Sequence, residues 1–138
     1  MIETIVMVAG GVAMLTVFVG GFLWLRNRQK PLKQDYFRAK WKDLQKLLRN
    51  KDRWDVALLE ADNLLDIALK KKHIRGHNMG ERLVKAQRLF SDNDGVWFAH
   101  KLRNRIESDP EAKLKDREIK QALVAVRQAL KDVGALPK

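Results

Sequence analysis

The sequence predicts an all-α protein, a single N-terminal transmembrane helix followed by a small bundle of about five helices. Three observations lead there. Ile5 to Leu25 is a run of 21 residues without a charge. From Phe37 onward, apolar residues recur at the three- and four-residue spacings of a buried helix face. Strand signals are lacking, with no sustained period-two alternation and no Asn-Gly hairpin between apolar runs.

The N-terminal run comes first. As a helix it would be about 31 Å long at roughly 1.5 Å per residue, which matches a hydrocarbon core of ~30 Å. Its only hydroxyl is Thr16. A cleaved signal peptide would place positive charge before a shorter apolar run. Here Glu3 precedes the run and Arg26, Arg28, Lys30 and Lys33 follow it. Basic residues resist translocation, so the N-terminus is expected outside and the remainder inside the cell inner membrane. Residues 1–30 then form the anchor and its basic stop, and 31–138 a cytoplasmic domain. Trp24 stands where an interfacial aromatic belongs. Ala9, Ala13, Thr16 and Gly20 give a face of small residues through which two copies could associate.

Charge is placed unevenly. The chain holds 28 Lys and Arg against 17 Asp and Glu, a net +11. Arg26 to Arg53 contains eleven basic and three acidic residues (+8), whereas Trp54 onward contains 17 and 13 (+4). The juxtamembrane excess, Arg26, Arg28, Lys30 and Lys33 above all, fits contact with anionic headgroups of the bilayer.

The helices of the domain follow in order. Phe37, Trp41, Leu44 and Leu48 mark the first. Trp54, Leu58, Ala61, Leu65 and Leu69 make the cleanest stripe, ended by the polar stretch from Lys70 to Asn78. Asn78 with Glu81 reads as an N-cap and its reciprocal acid, opening a helix along Met79, Leu83, Ala86 and Phe90. Ser91 to Gly95 reads as a turn. A helix from about Val96 to Glu107 carries Ala99, Leu102 and Ile106 inward. Asp109-Pro110 reads as a cap followed by Pro in the first turn of the last helix. That helix runs through Ile119, Leu123, Val126 and Leu130, with Gly134 as its C′ residue.

Several chemistries are excluded or unsupported. The absence of cysteine removes disulfides, zinc-thiolate sites and thiol catalysis. Gly76 to Gly80 is followed by Glu81 where a phosphate loop needs Lys and Ser or Thr. Asp92 to Gly95 lacks the rest of a calcium loop. His73 and His77 lie four apart across Gly76 without a third ligand, so no metal is expected, nor any cofactor. One cluster remains. His100, Arg103, Asn104 and Glu107 share a helical face, and Asp62 and Asp66 sit one turn apart on the second domain helix. A partly buried Arg103 facing Asp62 or Asp66 would neutralise both in a structural polar network.

The helix order and the Arg103-Asn104 pair resemble the HEPN superfamily, small helical bundles many of which are RNases. Ala61-Asp62, Met79-Gly80-Glu81-Arg82-Leu83, Ala99-His100-Lys101-Leu102-Arg103-Asn104 and Ala129-Leu130 look like a membrane-anchored bacterial group within it whose activity is uncharacterised. The resemblance covers about Tyr36 to Leu136. It implies an RNase motif of Arg-Asn, three residues, then His, but Ser108 stands at the histidine position here. A serine hydroxyl cannot take and return protons near neutral pH as imidazole does. No catalytic residue is therefore expected. The leading expectation is a membrane-anchored, non-enzymatic helical-bundle adaptor at the cytoplasmic face, with an unidentified protein or a second copy as partner. The alternative is a membrane-localised RNA- or nucleotide-binding HEPN-like module without nuclease activity, using His100, Arg103, Asn104 and Arg105.

Overall fold

The computed structural model describes residues 14–21 and 31–138. The chain divides into two compact units, Met1–Pro31 and Leu32–Lys138. In the first, residues 14–21 are helical, with Met14, Val17 and Phe18 exposed. Here the expected transmembrane helix is corrected. Among the described residues no helix is long and apolar enough to cross a membrane. The longest described helix, of 18 residues, carries Asp55, Glu60, Asp62, Asp66, Lys70 and Lys71. The rest of the expected span, 5–13 and 22–25, lies outside the described residues, as do Arg26, Arg28 and Lys30; Lys33 is described and exposed.

The second unit contains five α-helices: α1 (Gln34–Leu47), α2 (Trp54–Lys71), α3 (Met79–Ala86), α4 (Asn93–Ser108) and α5 (Asp116–Asp132). Single 3₁₀ turns, Lys51–Arg53 and Gln87–Leu89, precede α2 and follow α3. No strand occurs among the described residues. The all-helical bundle is thus as the periodicity predicts. Central to it is α2, which packs on α1, α3, α4 and α5. Its Ala57, Leu58, Ala61, Leu65, Ala68 and Leu69 are fully enclosed. Truncating one of those leucines costs about 2–5 kcal/mol.

Helix ends explain where the sequence reading holds and where it slips. Asn78 accepts from the Glu81 N–H at 2.9 Å, as expected of an N-cap. The Glu81 carboxylate reaches back to the His77 N–H at 2.8 Å, one residue further than a capping box would have it. Two helices end in Schellman turns. After α5, Gly134 (φ 81°) donates to the Lys131 carbonyl and Ala135 to that of Leu130. After α2, His73 takes the same left-handed conformation (φ 62°), with Ile74 donating to Leu69. The segment read as a turn at Ser91 to Gly95 instead starts α4, because Asp92 caps it by accepting from the Gly95 N–H at 3.0 Å. Asp109-Pro110 opens no helix. Asp109 closes one turn to Glu111 and Ala112, and α5 begins only at Asp116, one turn before apolar spacing resumes at Ile119.

Candidate functional site: a polar cleft on the flank of α2

One cleft gathers most of the chemistry-bearing residues. It holds about 460 Å³ and is lined from α2 by Asp62, Asn63 and Asp66, from the start of α3 by Asn78, Met79 and Gly80, and from α4 by His100, Arg103 and Asn104. Helical spacing places these groups. Asp62 and Asp66 lie one turn apart beside the α2 core stripe, and His100 and Arg103 lie one turn apart on α4, which packs against it.

Two ion-pair systems divide the cleft. In the deeper one, Asp62, 1% exposed, meets His100 Nδ1 at 3.1 Å. A carboxylate can only accept, so Nδ1 donates and Nε2 is the nitrogen left over. Nε2 has no partner among the described residues. The Trp97 ring stands edge-on to the imidazole at 6.0 Å between centroids. Arg103 Nε lies 3.5 Å from the same carboxylate, yet it is buried and makes no hydrogen bond. Its Nη1 donates to the Asn104 carboxamide oxygen at 3.0 Å and forms an ion pair with Glu107 at 2.9 Å.

The other system joins α2 to α3. Arg82 grips Asp66 with two bonds, Nε to Oδ1 at 2.6 Å and Nη2 to Oδ2 at 3.0 Å, and its Nη1 donates to the Gly76 carbonyl at 2.7 Å. The hydrogen bond to Asp66 raises the guanidinium pKa despite the opposing effect of burial. Lys70 adds a weaker contact to Asp66 at 3.4 Å. Gly76 must be glycine here, since a Cβ would stand 2.9 Å from Arg82 Cγ and 3.0 Å from its backbone nitrogen.

Of the residues nominated from the sequence, Asp62, Asp66, His100, Arg103 and Asn104 all line this cleft. Arg103 pairs with Asp62 and not with Asp66. Arg105 is exposed and does not line the cleft. Sequence reasoning missed Arg82 as the partner of Asp66, although a signal was present: Arg82 falls on the stripe of Met79, Leu83 and Ala86, where a lone cation requires a buried acid. It also read Asn78 only as a cap and passed over Asn63.

The chemistry left to a ligand combines two acceptors, Asp62 Oδ1 and His100 Nε2, with several donors. Asn78 and Asn104 each have their carboxamide oxygen occupied within the protein, which leaves their NH₂ groups. Both Asp66 oxygens are occupied as well. Compared with protein-family models, with curated proteins and with solved structures, the chain finds no match.

Proposed function

We propose that the bundle is a binding module for nucleoside phosphates, free or within single-stranded RNA, and that it binds without cleaving. The observation that carries this reading is the convergence on one cleft of Arg103, Asn78 and Asn104, each with N–H groups left to donate. A phosphate presents only acceptors and suits such a site. The ion pairs inside the cleft are close to balanced, so attraction at range comes from the chain's net +11 rather than from the cleft. Binding without turnover is supported at the end of α4. Ser108, where the HEPN-like motif would have histidine, is exposed, and its hydroxyl turns back to the Arg105 carbonyl at 3.4 Å.

The test is a titration of the full chain with labelled single-stranded RNA at several salt concentrations, with a gel run alongside. The expected result is intact RNA and binding that weakens as salt rises, because phosphate contacts release counterions. Arg103→Ala should weaken binding by about tenfold, the loss of one charge-assisted contact. Cut RNA would overturn the non-catalytic part of the reading. Absence of binding at low salt would overturn it entirely. That outcome would favour a second reading, a non-enzymatic adaptor in which these residues are structural, which the existing pairing of both Asp62 and Asp66 already supports.

A further inference from the structure

A second cavity opens on the other flank of α2. It holds about 310 Å³ between α1 and α2. Its walls mix the apolar side chains of Leu44, Leu47, Leu64 and Ile67 with Tyr36 and the charged Lys40, Asp43 and Glu60. The Tyr36 ring is held in place. It stands edge-on to Phe37 at 5.2 Å between centroids, and the Lys71 ammonium lies 4.4 Å from its own centroid.

What connects the two cavities is one side chain. Asn63 lines both. On α2, Glu60, Leu64 and Ile67 face the second cavity and Asp62 and Asp66 face the polar cleft, so Asn63 forms the ridge between them. It is exposed, and its carboxamide has no partner among the described residues. Both a donor and an acceptor are therefore available where a ligand crossing the ridge would pass.

We infer that the two cavities are adjoining subsites for one ligand at least two nucleotides long. The polar cleft takes a phosphate-bearing unit, Asn63 meets the linkage, and the second cavity takes the base of the neighbouring unit. This rests on the nucleoside-phosphate reading above and extends it to a minimum ligand. The complementarity is chemical on both sides. A base has flat apolar faces for Leu44, Leu47 and Ile67 and a polar edge for Glu60 and Lys40. Lys40 and Lys71, both close to Tyr36, offset the carboxylates of Asp43 and Glu60 there, so the second subsite gains from the base and not from net charge.

The experiment compares three probes on the full chain by calorimetry or fluorescence anisotropy: adenosine 5′-monophosphate, the dinucleotide pApA, and the same dinucleotide with its second residue abasic. The last keeps the charge of pApA and removes only the second base. The expected result is pApA binding about tenfold or more tighter than its abasic counterpart, within the range for one buried base. Ile67→Glu, at the half-buried wall of the second cavity, should bring that ratio close to one. Equal affinity for pApA and the abasic dinucleotide, with the mononucleotide bound, would overturn the second subsite and leave the proposed function standing. A ratio that survives Ile67→Glu would overturn the assignment to this cavity. If none of the three binds, the reading beneath fails and this inference with it.

Discussion

Replacing Arg82 by alanine should destabilise the bundle by about 3 kcal/mol. The side chain is only 9% exposed and makes three hydrogen bonds, two to Asp66 and one to the Gly76 carbonyl. Removing one partner of a buried pair costs about 3–5 kcal/mol, because the other charge stays behind in a poor solvent. Here Asp66 keeps Lys70 at 3.4 Å, and that lysine is more than half exposed, so the figure belongs at the low end. The lost bond to Gly76 and the lost packing of the arginine stem keep it from falling much further. For a domain of this size, ~3 kcal/mol lowers the Tm by about 10–20 °C. Urea and thermal denaturation of the full chain, followed by circular dichroism, measure it directly. The double substitution Arg82→Met with Asp66→Leu removes both charges and should lie within about 1 kcal/mol of the starting protein. A single substitution costing less than about 1 kcal/mol, or a double as damaging as the single, would refute the reasoning.

Other consequences follow from the helix ends. His73→Gly should raise stability by about 0.5–1 kcal/mol, since the left-handed position after α2 suits a residue without Cβ; a lower urea midpoint would contradict this. Gly95→Ala should lower it by about 1–3 kcal/mol, because a Cβ there collides with the Asp92 carboxylate that caps α4 and presses on Ala125 at 3.0 Å; thermal melts check it. The Asp132 carboxyl is pushed up by partial burial, but hydrogen bonds from the Ser91 N–H and hydroxyl and from Gln128 outweigh that and hold its pKa below the ordinary value. A depressed carboxylate pKa contributes stability above the unfolded value, near ~3.9, that disappears as pH falls through the folded value. Ser91→Ala should therefore flatten the acid limb of a stability-against-pH curve, and an unchanged limb would speak against that linkage.

The α2 stripe, the Asn78 cap and the Gly134 stop could be read in the sequence because each is a local pattern with a local cause. The cluster of His100, Arg103 and Asp62 was legible for a related reason. Helical spacing fixes which side chains share a face, and a buried acid needs a donor. What escaped depended on partners distant in the chain or on missing follow-through. Asp109-Pro110 carries cap residues without an apolar stripe immediately behind them, so the turn closes once and stops. Asp92 to Gly95 has turn composition, but its aspartate caps a helix packed on α5. Arg82 was invisible as a ligand of Asp66 because their sixteen-residue separation is closed only by the docking of α3 on α2.

The placement of α2 has a consequence for how this protein can change over time. One face of the helix is enclosed by four other helices, while its outer rows form the walls of two cavities divided by a single carboxamide. Positions 58, 61, 65 and 69 are therefore fixed by volume, whatever the ligand. Positions 60 and 63, one turn apart and both exposed, can be exchanged without opening the core. Selectivity can drift along that outer row while the interior row holds the shape, so one helix serves as a constant frame and an adjustable one.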